Sequence, residues 1–509
     1  MLEQKIHLQF FNYIGIILAT LLLFYLYCRY KLSYWKKRGV SQFRQTNLIF
    51  GDYKNGILFR TAPGYHLAEL YHEVPENVPY IGFYIFHKPC LLLKDPKIIK
   101  QILFRDSENF NDRYFAGSPQ KDSFGMKNLF GLKNPTWKYV WSKTVPSFGR
   151  KNVRQMVPLM METGEPMMEF LRNEPADNRG VKIIDAQDLN YKYGADLIGN
   201  IALGVKTDSF KYPDSDYTKF LMSFFRGFKR MIALVTVFFI PKLVEIIGCK
   251  ILFDSTYLQN IFQKSIKSRE ESGGKRGDYV DSIIELKNDK QNPLWKFEGE
   301  NLFFQSGLFF SGFESSTTTA TVVLMELAQN KEYQDRARED VKKAVAEHGW
   351  TFEAFDNMKY LDLCIAEGVR LYPPVVHLDR CTRQDYKVPD TNLVLKKGTP
   401  IFVSVYGLHT DLKHFENPRS FIPERFSDAA NLNDAYFPFG GGPRMCIGKK
   451  IGQMHVKVVL SKILAEYEIY RNPEEMYDVD RRSTFTASAN GVNIEFIPLK
   501  KCCNKFIDL

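Results

Sequence analysis

Apolar residues run almost unbroken from Phe10 to Tyr27, interrupted only by Asn12, Gly15 and Thr20. A helix of that length, rising 1.5 Å per residue, can just cross the hydrocarbon of a bilayer. A cleaved signal peptide is the competing reading, but no small-residue cleavage site follows. Instead Arg29, Lys31, Lys36, Lys37 and Arg38 come next, against only Lys5 before the run. That asymmetry predicts an anchor at 1–30 with the N-terminus in the lumen and the remainder in the cytosol. Residues 31–50 read as a basic linker. From Tyr80 to Leu93, YIGFYIFHKPCLLL predicts a hairpin turning at His-Lys-Pro, and Asp95-Pro96 then opens a helical stretch, Lys97 to Phe104. Helical periodicity dominates from Trp137 to about Leu464, with Gly273-Gly274 as the clearest loop. The longest apolar helix runs from about Glu300 to Asn330 and, at roughly 45 Å, should cross the core. After Pro373-Pro374 ends another helix, VPDTNLVLKKGTPIFVSVYGLH reads as short strands. The pattern is mainly α with a small β subdomain, and nothing divides 51–509 into two domains.

Composition narrows this picture only slightly. Of 509 residues, 45% are apolar and 25% charged, as expected for a chain with a large packed core. The eight cysteines are scattered with no C-x-x-C or zinc spacing, which favours reduced thiols facing the cytosol. A net charge of +11 favours acidic surfaces. No nucleic-acid motif accompanies it, so an anionic lipid face or an acidic protein is the expected partner.

Candidate chemistry concentrates in Phe439–Gly448, FGGGPRMCIG. Three glycines and a proline forbid regular structure before Cys446, while helical periodicity resumes at Lys449. The cysteine therefore enters a helix N-terminus, where backbone N–H groups favour an anionic sulfur. The glycines leave room for a flat cofactor, with Arg444 as a cation near its rim. Taken alone, such a loop is more often a turn with an inert buried cysteine. However, Phe439, Gly442, Arg444, Cys446 and Gly448 occupy every fixed position of F-x-x-G-x-R-x-C-x-G, and the chain thereby resembles the cytochrome P450 family. The resemblance implies that family's fold, with haem b held by Cys446 as axial thiolate ligand.

Two further segments carry the same resemblance. Glu367 and Arg370 lie one helical turn apart in CIAEGVRLYPP, and Pro423-Glu424-Arg425-Phe426 follows. An i, i+3 pair is usually a solvated surface bridge, but here the apolar flanks suggest burial, which requires a third partner. By resemblance Glu367, Arg370 and Arg425 lock the scaffold behind the haem. Ser311-Gly312-Phe313-Glu314-Ser315-Ser316-Thr317-Thr318-Thr319 are poor residues for a helix centre. Hydroxyls bonding back to the preceding turn would explain them structurally. The resemblance instead implies an opening for oxygen, with Glu314 and Ser315 as an acid–alcohol pair relaying protons. It also places Trp137, Arg380 and Arg444 on the haem propionates.

The likeness extends from the anchor to about Leu464, and YWKKRGV, VPYIGFYIFHKP, FNDR and FIPERF are most similar to the microsomal xenobiotic-metabolising insect branch. Departures are the proline-free segment Ser41–Asn47, Trp141 where a second propionate-binding Arg is usual (with Lys143 as a substitute), Ser311 for Ala, and Ser315 for Thr. The implied activity is monooxygenation of a lipophilic molecule, on the cytosolic side of the endoplasmic reticulum membrane. Electrons from NADPH would come through NADPH-cytochrome P450 reductase, with cytochrome b5 as an optional second donor. They would enter a proximal face bearing Lys138, Lys143, Lys449 and Lys450. This chain has no nucleotide-binding fingerprint of its own. The alternative is a haem-thiolate isomerase or dehydratase acting on peroxides without a reductase. A non-catalytic haem protein that senses or carries a ligand is a further, less favoured reading. The substrate region, about Tyr114–Gly131 and Lys206–Cys249, reads as an apolar pocket under a lid.

Overall fold

The computed structural model describes residues 2–115, 127–225, 228–247, 255–428, 434–483 and 490–499. Parts of both substrate-region segments and the side chain of Ser311 lie outside the described residues. Helix α1 (Leu2–Lys31) carries the apolar run. Its apolar stretch has a mean hydropathy of 1.9 with 0% covered by the protein, so α1 is long and apolar enough to cross a membrane.

The last turn of α1 and the stretch after it behave differently. Cys28, Leu32, Trp35 and Val40 are buried in a core shared with strands β1 (Tyr80–Ile85) and β2 (Lys88–Leu93). Trp35 donates its indole N–H to the Phe83 carbonyl (3.3 Å) and its backbone N–H to the Tyr84 hydroxyl (3.0 Å). Gly82 leaves space for that indole, since a Cβ there would sit 2.3 Å from the ring. Residues 31–50 thus hold α1 against the sheet despite the missing prolines.

β1 and β2 pair antiparallel with Phe83 opposite Cys90. The turn falls at Phe86-His87, not at His-Lys-Pro, because Phe86 takes a positive φ of 53° and lets Lys88 pair with Ile85. The sheet continues through β4 (Pro400–Ser404) to β3 (His377–Cys381), in the order β1-β2-β4-β3. A three-stranded sheet joins Lys182–Asp185, Asn493–Pro498 and Tyr467–Tyr470.

Helices form the remaining bulk: α2 (Thr136–Thr144), α3 (Ala186–Leu197), α4 (Phe228–Phe239), α5 (Glu300–Gln329), α6 (Lys359–Leu371), α7 (Val405–His409) and α8 (Lys449–Glu466). α5 crosses the core as its apolar length predicts, packing on α3, α6 and α8. α7 corrects a strand expectation. The side chain of Ser404 accepts the Gly407 N–H (3.1 Å), and this cap turns VYGLH into a helical turn.

Candidate active site

Between the middle of α5 and the loop before α8 lies a cavity of ≈ 260 Å³. A single water needs only about 10–15 Å³ on that scale, so the space suits a sizeable ligand. Gly312, Phe313, Ser315, Ser316 and Thr319 line one wall, and Phe439, Gly440, Arg444, Cys446 and Gly448 the other. Trp137, Trp141, Leu197, Ile201, Val369 and Leu378 close the sides, making the lining largely apolar.

The cysteine loop is shaped by local constraints. Gly440 and Gly442 adopt φ of +73° and +68°, a region that L side chains rarely enter. At Gly442 a Cβ would also stand 1.8 Å from the Leu103 carbonyl oxygen. The Cys446 N–H donates to the Phe439 carbonyl at 2.9 Å, closing the loop beneath the cavity. Burial pushes the Cys446 thiol up, while the Gly448 N–H and the charges of Arg113 and Lys449 act in the opposite sense. A coordinated metal would override that balance, because metal binding deprotonates a thiol outright.

The cavity's edge is strongly basic. Arg113 and Arg444 line it, and Lys133 and Arg380 lie near them with Asp379 and Asp112. Asp379 accepts from Arg113 (3.3 Å) and from the Phe115 N–H (2.8 Å). Asp112 lies 4.0 Å from Arg444 and 3.6 Å from Arg383. Burial, reinforced by Arg113, pulls Arg380 down to about 9, and burial pulls Lys133 down to about 8. Burial and the neighbouring guanidinium groups of Arg113 and Arg380 likewise hold Arg444 well below its ordinary value. With Arg383, five cations share two carboxylates among the described residues, an excess of positive charge that a dianionic group would offset. Haem carries two propionates; the loop wall offers a sulfur ligand, and the helical wall an uncovered Gly312, where a Cβ would meet nothing within 4 Å. The residues present fit the group.

A match to the cytochrome P450 family model spans residues 54–496. The chain belongs to the cytochrome P450 family. Among curated relatives, cytochrome P450 6k1 of Blattella germanica is 33% identical over 512 residues, covering 95% of this chain and 96% of that protein. Probable cytochrome P450 6g2 of Drosophila melanogaster is 34% identical over 491 residues, with 91% and 94% covered. Cytochrome P450 6d1 of Musca domestica is 30% identical over 503 residues, with 92% and 96% covered. As a member of this family the protein is a haem-thiolate monooxygenase, similar to insect family-6 enzymes.

Each expected site residue has a definite place. The Arg444 guanidinium stacks 3.9 Å over the Trp137 ring. It donates to the carbonyls of Asn111 (2.6 Å), Leu129 (3.1 Å) and Leu132 (2.6 Å). Most of its donors are thus committed to holding the chain around the cavity. Arg380 donates to its neighbour's carbonyl, Asp379 O, at 2.8 Å and to Gly441 O at 3.4 Å. Trp141 packs 6.1 Å from Trp137, and Lys143 pairs with Asp289 at 2.5 Å on the surface instead of standing in for the missing arginine. Arg113, which the sequence reading passed over as a site residue, does line the cavity. Its only advance signal was its place in FNDR.

Behind the cysteine loop, Arg370 forks onto Glu367 (2.7 and 2.8 Å), both fully buried. Glu367 also accepts from Arg425 Nε (3.2 Å) and the Ile422 N–H (2.9 Å), while Arg370 serves the carbonyls of His409 and Pro418 (2.8 Å each). His409, another residue the sequence did not single out, carries the knot forward. Its Nδ1 bonds the Arg370 carbonyl (3.2 Å) and its Nε2 accepts the Phe437 N–H (3.1 Å), two residues before Phe439. Burial and the nearby Arg370 press it down to about 3, so the imidazole is neutral.

Glu314 and Ser315 are not brought together. Successive helical residues point about 100° apart, so a Ser315 that faces the cavity turns Glu314 away from it. Ser315 Oγ donates to the Gly312 carbonyl (3.0 Å), as does Ser316 Oγ (2.9 Å). Thr317, Thr319 and Thr321 also bond back to carbonyls one turn earlier. The hydroxyls therefore do have the structural role weighed from sequence, and Gly312 leaves open space beside them in a continuous helix. Glu314 instead accepts two bonds from Arg230 of α4.

Proposed function

We propose that this enzyme oxygenates lipophilic molecules, foreign compounds foremost, at the endoplasmic reticulum membrane, with electrons passed from NADPH by a separate reductase. The observation that carries this reading is the apolar cavity between the Cys446 thiol and the opening at Gly312. Cys446 would hold the iron, and Arg113, Arg380, Arg444 and Trp137 would neutralise and enclose the propionates. Bound there, haem supplies oxygen activation. This chain's own residues do the rest. The Glu367–Arg370–Arg425 knot fixes the cysteine loop, and the aromatic and aliphatic walls exclude water and orient an apolar substrate. Ser315, on the cavity wall, would hold a proton donor inside the cavity.

Exposed Lys449 and Lys450 beside the cysteine loop, with the surplus of basic residues, suit an acidic redox partner such as the reductase or cytochrome b5. Lys138 sits on the same helix as Trp137 and is paired only loosely, 4.0 Å from Glu108. α1 followed by its basic stretch supports a lumenal N-terminus and a catalytic domain facing the cytosol.

The test is reconstitution in vesicles with the reductase, followed by oxygen consumption and product formation from a panel of terpenoids, steroids, plant toxins and insecticides. NADPH- and reductase-dependent product is expected. Rearrangement of a peroxide with no reductase present would support the isomerase reading instead.

A further inference from the structure

Helix α2 brings two aromatic side chains to the cavity and no charge. Trp137 and Trp141 line it, while Lys138 lies exposed near Glu108 and Lys143 is paired with Asp289. A cation does stand where α2 begins. The Lys133 carbonyl accepts the Trp137 N–H (2.8 Å), and the Lys133 ammonium donates to the carbonyls of Arg113 and Phe115, the latter at 2.7 Å. Beside it the Asn134 N–H donates to the Asp112 carboxylate (2.9 Å). Residues 112–115 are thus clasped by three bonds to the entry of α2. Arg113, inside the clasp, lines the cavity with its guanidinium 4.0 Å over the Phe130 ring and 3.3 Å from Asp379. Its Nε is buried without a hydrogen-bond acceptor among the described residues. Buried donors are rarely left so, and an occupant of the cavity would supply the acceptor.

Both bonds of the Lys133 ammonium end on uncharged carbonyl oxygens. Burial pulls it down to about 8, with Asp379 and Asp112 acting against that, so it stays a cation at neutral pH. Charge held inside protein is screened little, and it is felt at the cavity edge without contact. We propose that Lys133 is a positioning residue for Arg113 and the source of the positive charge that α2 lacks, so that Arg113 offers its unpartnered Nε to the negative edge of haem. The inference rests on the haem reading of the cavity. Cofactor retention is thereby tied to a lysine that does not itself line the site.

The experiment follows ferric haem as it passes from the loaded full-length protein to excess apomyoglobin, beside the thermal unfolding midpoint of each variant. Lys133→Met should release haem about tenfold faster than wild type, as expected when a charge-assisted contact is lost. Trp141→Arg, added to that variant, puts a guanidinium on the same wall one turn from Trp137. Release should return to near the wild-type rate, whatever the midpoint does. Lys133→Arg, which keeps the charge and the donors, should stay close to wild type. A lower midpoint with unchanged release would overturn the proposal, leaving the clasp as a fastener of the fold. Fast release that Trp141→Arg does not slow would overturn it as well, because a missing charge is what that arginine replaces. Should Lys133→Met load no haem, haem per chain in the double variant becomes the readout: loading supports the proposal, and its absence overturns it. A wild-type protein that takes up no haem would instead overturn the haem reading on which the proposal stands.

Discussion

The Cys446 N–H reaches back 2.9 Å to the Phe439 carbonyl, closing a loop in which Gly440 and Gly442 have positive φ. This closure presents one sulfur to the cavity. The other described cysteines, Cys28, Cys90, Cys364 and Cys381, are not among its lining residues. Cys446→Ser should therefore lose the red-shifted Soret band that thiolate-ligated haem shows in the reduced, carbon monoxide-bound protein. Cys446→His should give at most a histidine-type spectrum. A thiolate-type band from either variant would transfer the ligand role to another cysteine.

Glu367→Ala leaves Arg370 buried with its fork unmatched and Arg425 without a carboxylate. Removing one partner of a buried pair costs about 3–5 kcal/mol, a large part of a domain's stability. Expression should yield little haem-loaded protein, read as haem absorbance per mole of chain. A normal yield would mean that the carbonyls around Arg370 suffice without Glu367.

The anchor should separate from the body only upstream of Trp35. Deleting residues 1–28 should weaken membrane association and leave haem spectra unchanged. Deleting 1–38 also removes an indole that is 0% exposed. Trp35→Ala tests the same contact with a cost of about 3–5 kcal/mol. Thermal denaturation of the three proteins checks this, and equal midpoints for both truncations would show that Trp35 contributes nothing.

Much of this architecture could be read before the structure because its signals are local. The glycine–proline–cysteine spacing, the apolar length of α5 and the charge step after Tyr27 each lie within a few turns of chain. The misread parts depend on distance or on a single cap. Arg113 meets Asp379 across 266 positions and Arg230 meets Glu314 across 84. Val405–His409 looked like a strand because β-branched residues precede it, and only the Ser404 cap reverses that preference. The hairpin turn shifted because Phe86 accepts a positive φ that propensity assigns elsewhere.

Glu326 should contribute a loss of stability as pH rises from about 4.5 to about 7. It is opposed by the buried histidines His377, His409 and His455, whose lowered values make stability rise with pH up to about 6.5. Burial raises the Glu326 carboxyl from 4.5 to about 7, against the Tyr372 hydroxyl that donates to it at 2.8 Å. Because the folded value lies above the unfolded one, the contribution is fully present below about pH 4.5 and is lost as pH rises through about 7. Asp52 and Asp196, each raised to about 6 by burial, act in the same sense. Glu326→Gln keeps an acceptor for Tyr372 and should remove about 1–2 kcal/mol of the loss between pH 5.5 and 8. Parallel pH curves for variant and wild type would show that Glu326 stays charged throughout.

The last prediction concerns Ser315, whose hydroxyl faces the cavity while bonding the Gly312 carbonyl at 3.0 Å. Ser315→Ala removes the only polar side-chain atom at that position and leaves the helix intact. If the hydroxyl holds protons for the distal face, oxygen should still be consumed, but more should leave as hydrogen peroxide, with product per NADPH falling about tenfold. Ser315→Thr keeps the hydroxyl and adds a methyl that restricts χ1. Coupling should then equal or exceed the wild-type value, provided the substrate tolerates the methyl. Glu314→Gln should act in the direction of Ser315→Ala, and the double variant should be far from additive because both interrupt one path. The measurement is peroxide and product per NADPH with saturating substrate and excess reductase. Unchanged coupling in both single variants would leave Ser315 with the part its geometry already shows, a hydroxyl bonded back to the turn before it.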